Sequence, residues 1–154
     1  PGMAFDVQPR FSPDGESVAF ISDKSGGDNL WTMRLDRTDT TQVTRGNNSL
    51  YVSPEWTPDG QYIVVSRSAG LGGAARLQMY HAARRSPLAI SGIPETRKSL
   101  GAAFSPDGKQ IVYQAVPLNY PFYQIYTQPL SGGRPRRPGR WRRRRRRCAR
   151  NACS

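Results

Sequence analysis

Three aspartates and one histidine are the side chains of this sequence that first suggest chemistry. Asp14, Asp59 and Asp107 each stand between a proline and a glycine, and His81 is the one histidine of the chain. Carboxylates and imidazoles act as general acids and bases or as metal ligands. A hydrolytic metal centre needs several such ligands in one place, and one histidine does not supply them. We therefore expect no catalytic residues, no metal site and no cofactor site in this chain.

Other candidates for chemistry have simpler interpretations. Cys148 and Cys153 are separated by four residues, with no second pair to complete a zinc site, so they are predicted to be incidental thiols. The glycine-rich segment 68–76 lacks the lysine of a phosphate-binding loop and leads into a strand-like run, so a hairpin loop is predicted, as for 22–29. His81 is predicted to end a strand. The mixed aromatic and basic residues of the body are predicted to pack blades or lie in loops, without a basic stripe: Trp31, Tyr51, Trp56, Arg67 and Arg76.

The three aspartates belong to one motif that is written three times. It reads FSPDG at 11–15, WTPDG at 56–60 and FSPDG at 104–108. Proline presets φ, aspartate bonds back to the backbone, and glycine accepts a positive φ, so each copy predicts a tight turn. Identical placement in each repeat indicates a structural role for the residues concerned: Pro13, Asp14, Gly15, Pro58, Asp59, Gly60, Pro106, Asp107 and Gly108.

Matched strand-like runs surround each turn. An extended piece precedes it, a hydrophobic run such as ESVAFIS follows it, and a second run such as NLWTM comes about 19–21 residues after the aromatic. A third, short run is predicted about 32 residues after the aromatic, as QVTRG and LAISG. The hydrophobic runs show little alternation, which is typical of strands covered on both faces. We therefore predict an all-β fold: a partial β-propeller of about two complete blades plus most of a third, each a small antiparallel sheet.

The motif and the text around it resemble a known family. An aromatic residue, Ser or Thr, Pro-Asp-Gly, a hydrophobic strand and then SDKSGGDNLWTM resemble the TolB-like, WD-like β-propeller repeat. The stretch FDVQPRFSPDGESVAFISDKSGGDNLW looks most like the propeller that precedes the catalytic domain of certain bacterial amidohydrolases. Peptidases of the tricorn and prolyl-oligopeptidase types use similar blades. The resemblance covers about residues 4–133.

The C-terminal segment departs from this pattern. The formal net charge is +12, but residues 134–154 hold eleven arginines and no acid, so residues 1–133 are close to neutral. We predict two parts: a partial TolB-like propeller at 1–133 and a disordered, Arg-rich tail at 134–154. Three interpretations of the tail remain open. It is a polyanion-binding tail, a linker or localisation signal, or the product of a slipped reading frame in a GC-rich gene, which would explain a break inside a repeat.

The resemblance implies a function for the body. A TolB-like propeller implies a non-catalytic protein-interaction or substrate-gating module, in the periplasm or otherwise exported, whose partner is another protein or the rest of the parent propeller. The alternative is an accessory domain ahead of a metal-dependent amidohydrolase or a peptidase domain, and the weaker alternative is nucleic-acid or polyanion binding through the tail. No apolar run is long enough to span a membrane and no signal peptide is visible. Since three blades leave two apolar faces uncovered, we expect the chain alone to be poorly stable and to aggregate or be partly disordered. The alternative is that two copies assemble into a six-bladed ring.

Overall fold

The computed structural model describes residues 4–70, 73–93, 96–119 and 121–137 of the chain. These residues form strands and turns, and no helix capable of crossing a membrane occurs among them. The eleven strands that they contain are β1 Asp6–Phe11, β2 Ser17–Ser22, β3 Asn29–Arg34, β4 Thr40–Gln42, β5 Ser49–Trp56, β6 Tyr62–Ala69, β7 Arg76–His81, β8 Pro87–Leu88, β9 Thr96–Phe104, β10 Gln110–Pro117 and β11 Gln124–Pro129.

The strands form three antiparallel sheets, one for each repeat. Strands β1 to β4 follow one another in the first sheet, β5 to β8 in the second and β9 to β11 in the third. We call these sheets blade 1, blade 2 and blade 3. Meandering antiparallel sheets of this size, repeated along the chain, are the units of a β-propeller. The predicted all-β partial propeller is therefore confirmed.

Blade 3 carries a trace of a fourth strand. Thr127 and Arg136 exchange backbone hydrogen bonds of 2.9 and 2.7 Å. Thr127 occupies the position of Met79 in blade 2, and Met79 pairs with Leu88 of β8. We predicted that the strand signal ends after Gly133, so Arg136 continues the blade pattern further than expected. The rest of the predicted tail, residues 138–154 with Cys148 and Cys153, lies outside the described residues.

The first strand of every blade carries the same irregularity. Gln8, Ser53 and Gly101 stand three residues before the motif aromatic, and their φ values are +56°, +55° and +55°. The strand pairing shifts register at these positions, as in a β-bulge. The side-chain Oε1 of Gln8 accepts a hydrogen bond from the backbone N–H of Ser53, so the bulges of blades 1 and 2 are linked directly.

The short outer strands lie slightly earlier in the chain than predicted. We placed them at QVTRG and LAISG, whereas β4 ends at Gln42 and β8 at Leu88. Val43 leaves the ladder and is buried, and its N–H donates to the carbonyl of Leu30. Val43 therefore keeps a backbone hydrogen bond to β3 while its side chain enters the core between blades 1 and 2.

Two apolar cores hold the blades together, and each lies between neighbouring sheets. The first joins blades 1 and 2 through Ala19, Ile21, Leu30, Val43, Tyr51, Trp56, Ile63, Val65 and Tyr80. The second joins blades 2 and 3 through Val64, Leu77, Met79, Ala102, Ile111, Tyr113, Ala115 and Tyr126. Blade 2 is thus covered on both faces, which gives β6 its run of four buried residues from Ile63 to Ser66. Face-to-face burial of this kind is the main source of stability in a repeat protein.

Candidate functional site

The repeated turns are built alike in all three blades. In blade 1 the Ser12 hydroxyl donates to Asp14 Oδ1 at 2.5 Å, and the Glu16 N–H donates to the same oxygen at 3.0 Å. Thr57 with Asp59 and Ser105 with Asp107 repeat these bonds at equal distances. The glycines that close the turns have φ of +73°, +70° and +68° for Gly15, Gly60 and Gly108 respectively.

These hydrogen bonds stabilise the charged form of each aspartate. The donor hydroxyl comes first among the causes that hold the pKa of Asp14, Asp59 and Asp107 below the usual value of 3.8, followed by backbone N–H donors and opposed by partial burial. Each carboxylate is occupied by its own turn. Each carboxylate therefore belongs to the turn of a different blade.

The single histidine is also engaged locally. His81 ends β7, as predicted, and its Nδ1 accepts hydrogen bonds of 3.2 Å from the N–H groups of Ala83 and Arg84. Its ring lies edge-on to the ring of Tyr62 at 5.0 Å between centroids. In the part of the chain that the structure describes, no group of three His, Cys, Asp or Glu side chains is placed to hold a metal ion.

In the described part of the chain, blades 1 and 3 each have one face that no other sheet covers, and these two faces are the strongest candidate for a functional surface. Phe11 and Trp56 occupy the same repeat position, yet Phe11 is 69% exposed and Trp56 is 8% exposed. Trp56 packs into the core between blades 1 and 2, and its indole N–H donates to the carbonyl of Arg10 at 3.1 Å. Phe11 pairs with Val18, whose neighbours Ala19 and Ile21 belong to the core between blades 1 and 2 at alternate positions, so Phe11 lies on the side of blade 1 that faces away from blade 2.

Blade 3 shows the converse exposure on its own outer side. Leu30, Leu77 and Ile125 occupy one position in the third strand of each blade, opposite Ile21, Ser66 and Gln114. Leu30 and Leu77 are buried against the following blade. Ile125 is 47% exposed. The chain buries the same type of contact twice, between blades 1 and 2 and between blades 2 and 3. The outer sides of blade 1 and blade 3 correspond to the two surfaces that meet in each of these contacts.

On the outer face of blade 1, a lysine side chain lies over two aromatic rings. Lys24 Nζ lies 3.7 Å from the centroid of the Trp31 ring and 5.3 Å from that of Phe20. Cation–π contacts of this kind shield aromatic surface from water while keeping the ammonium group accessible. Phe20 is accordingly buried, in contrast to Phe11 on the same blade.

Sequence reasoning predicted that two apolar blade faces are uncovered, but it did not identify the residues that form them. It assigned Trp31 and Trp56 to blade packing in general and did not distinguish a covered aromatic from an uncovered one. The repeat alignment itself was the available signal, because aligned positions in the first and last copies are those that lose a neighbour. Sequence reasoning also missed that Arg45, Arg67 and Arg85 line one cavity between blades 1 and 2.

Comparisons with known proteins agree with the repeat architecture. A family model described as the TolB beta propeller domain matches residues 1–117. The uncharacterized peptidase YuxL of Bacillus subtilis is 36% identical over 72 residues, which are 46% of this chain and 11% of that protein. The chain thus spans a small part of this curated relative.

Solved structures with the same fold include a TolB protein and a peptidase. TolB from Acinetobacter baumannii superposes with a TM-score of 0.67 and 23% identity over 84% of this chain and 31% of that one. A puromycin-hydrolysing peptidase of Mycobacterium tuberculosis superposes with a TM-score of 0.68 and 17% identity over 87% of this chain and 20% of that one. At these identities the similarity shows the fold.

Proposed function

The chain belongs to the TolB β-propeller domain family, and we propose that it is a non-catalytic binding module whose two uncovered sheet faces dock further blades of the same kind. One observation carries the proposal: Phe11 and Ile125 are exposed where their repeat equivalents Trp56 and Leu77 are buried between blades. The two inter-blade cores show which kind of surface each exposed face would contact: the opposite face of another blade.

The proposed occupant follows from continuity with those interfaces. Blade 2 presents Trp56 to blade 1 and Leu77 to blade 3, so each inter-blade contact joins two different faces in a fixed direction. A head-to-tail contact of this type continues until a ring closes. Apolar burial drives it, at about 25 cal/mol for each Å² removed from water. A second copy of this chain carries both faces and therefore supplies a suitable probe.

A sedimentation experiment on the whole chain tests the proposal. We expect the wild-type chain to self-associate as concentration rises, and both F11D and I125D to weaken association by about 100-fold, since each would bury a charge in an apolar contact. L35D is the matched control, because Leu35 is 48% exposed but lies beyond the end of β3. Equal behaviour of all three variants, or a strictly monomeric wild type, would refute the proposed role of the faces.

The completed propeller would act as a protein-interaction or substrate-gating unit. The support is family membership together with the resemblance to TolB, and the same resemblance supports a periplasmic or exported location. A protein partner would bind the completed propeller, whereas a further blade would bind the exposed faces of blades 1 and 3.

A second candidate is an accessory domain of a peptidase. The Bacillus subtilis relative named as a peptidase favours it, as does the propeller fold shared with the Mycobacterium tuberculosis peptidase. The amidohydrolase association stays a prediction. Sequencing downstream of this chain separates the candidates: a domain with a serine hydrolase motif supports the peptidase, one rich in His and Asp supports the amidohydrolase, and an end after further blades supports the binding module.

A further inference from the structure

A cavity between blades 1 and 2 gathers positive charge around two buried aromatic rings. Its volume is about 530 Å³, and it is lined by Gln42, Val43, Thr44, Arg45, Tyr51, Arg67, Tyr80 and Arg85. Val43, Thr44, Tyr51 and Tyr80 are buried and form the floor, whereas the three arginines are exposed and form the rim. Among the described residues, the lining therefore combines a mostly apolar base with three cationic groups and contains no aspartate or glutamate.

The arginines of the rim are not neutralised by the protein. Within the described ranges, Arg45, Arg67 and Arg85 form no ion pair, whereas Arg34 lies 3.5 Å from both Glu16 and Asp36. Arg85 also borders a neighbouring cavity that contains Asp14 and Asp39. Arg45 and Arg67 are consequently the arginines on which the charge argument depends.

The guanidinium group of Arg67 is oriented by its own blade. Its Nε donates to the hydroxyl of Ser49 at 3.0 Å, which directs the two terminal nitrogens of the fork away from this bond. A guanidinium fork matches the paired oxygens of carboxylate and phosphate groups. Arg67 is thus positioned for bidentate contact with an oxyanion at the cavity mouth.

The tyrosines of the floor add neutral polar atoms. The Tyr80 hydroxyl donates to Gln78 Oε1 at 2.7 Å, and the Tyr51 and Tyr80 rings meet edge-on with centroids 6.4 Å apart. Burial first, and then the neighbouring Tyr51, raise the pKa of Tyr80 well above its usual value, while the positive charge of Arg67 acts in the opposite direction. The Tyr80 phenol therefore remains uncharged at neutral pH and does not repel an anion.

We propose that this cavity binds a multivalent oxyanion, a small ligand that carries two or more phosphate or carboxylate groups. Arg45 and Arg67, which form no ion pair among the described residues, together require more than one negative charge for neutralisation, and the volume falls in the range of small-molecule sites rather than of single ions. All the residues that line the cavity come from blades 1 and 2 and the segment that joins them, so the site does not depend on whether the outer faces dock further blades.

Calorimetric titration of the full chain with pyrophosphate and with citrate, at constant ionic strength, tests the proposal. Arg45→Gln and Arg67→Gln each remove one rim cation, and Arg45 is exposed, so its variant should fold normally. Arg84→Gln is the matched control, since Arg84 is an exposed neighbour of Arg85 that does not line the cavity. The arginines of residues 134–154 are present in every variant and contribute equally to each titration.

The two variants and the control give opposed expectations. We expect R45Q and R67Q each to weaken binding by about tenfold or more, as for the loss of a charge-assisted hydrogen bond, and R84Q to leave affinity unchanged. Tighter pyrophosphate binding would assign the ligand to phosphates, and tighter citrate binding to carboxylates. Binding that all three variants reduce equally, or that none reduces, would show nonspecific attraction to the basic chain and would overturn the proposal.

Discussion

Trp56 and Phe11 occupy one position of the repeat in two different surroundings. Each is the aromatic residue that opens a Pro-Asp-Gly turn and ends the first strand of its blade. Trp56 has blade 1 beside it and is buried, whereas Phe11 has no sheet beside it among the described residues and is exposed. The strand and the turn are properties of the local sequence, but burial is a property of the neighbouring blade.

Unlike the blade faces, the turns have the same structure whether or not a neighbouring blade is present. The hydrogen bonds around Asp14, Asp59 and Asp107 are equal in all three blades, although blade 2 is covered on both sides and the others are not. A structure made of repeats thus contains positions that are equivalent in geometry and positions that are equivalent in sequence alone. Variants at aligned positions separate the two kinds.

The largest difference is expected between Trp56 and Phe11. Trp56→Ala removes a buried ring and its hydrogen bond to the Arg10 carbonyl, which should lower the free energy of unfolding by about 3–5 kcal/mol. Phe11→Ala removes an exposed ring and should cost about 0.5 kcal/mol or less. Urea titration of both variants at a concentration where the chain is monomeric measures the difference. Similar losses would mean that Phe11 is covered in solution.

An intermediate and uniform effect is expected at the turn glycines. Gly15→Ala, Gly60→Ala and Gly108→Ala each place a side chain at a φ near +70°, in space with no neighbour closer than 3.8 Å. Backbone strain alone should therefore cost about 1–2 kcal/mol at each position. Urea titration should give three equal losses. A loss confined to Gly60 would show that the turns depend on their neighbouring blades.

The smallest effect is expected from the turn aspartates as the pH changes. Because the pKa of Asp107 is lowered in the folded protein, its charge stabilises the fold above the unfolded value of about 3.8, and this contribution is lost as pH falls through the folded pKa. Asp107→Asn should thus reduce the dependence of stability on pH below about pH 4. Thermal unfolding from pH 2 to 7 measures it. If stability depended on pH equally in the variant and the wild type, the hydrogen bonds of the turn would not lower the pKa of Asp107.

Local signals explain what the sequence predicted well. The Pro-Asp-Gly turns and the hydrophobic runs after them specify φ values and strand propensity within a few residues, so β2, β3, β6, β7, β10 and β11 were all predicted. The bulge in each first strand was not predicted. Gly101 is suited to a positive φ, but Gln8 and Ser53 adopt it only because the surrounding ladder and the Gln8–Ser53 hydrogen bond impose it.

Contacts between blades explain what the sequence could not provide. Val43 was assigned to a strand, yet the gap between blades 1 and 2 draws it into the core. Arg45 and Arg67 are 22 residues apart and Arg85 is a further 18 away, so only the stacking of the sheets brings them to one cavity. Pairings at such separations depend on the assembled repeat rather than on any window of sequence.

Mixing two variants tests most directly whether the outer faces are complementary. F11D damages only the blade 1 face and I125D only the blade 3 face, so each variant alone lacks an intact contact between copies. A mixture restores one, between blade 3 of the F11D chain and blade 1 of the I125D chain. We predict that sedimentation of the equimolar mixture shows association that neither variant shows alone. A mixture that stays as dissociated as its components would contradict the head-to-tail pairing of these faces.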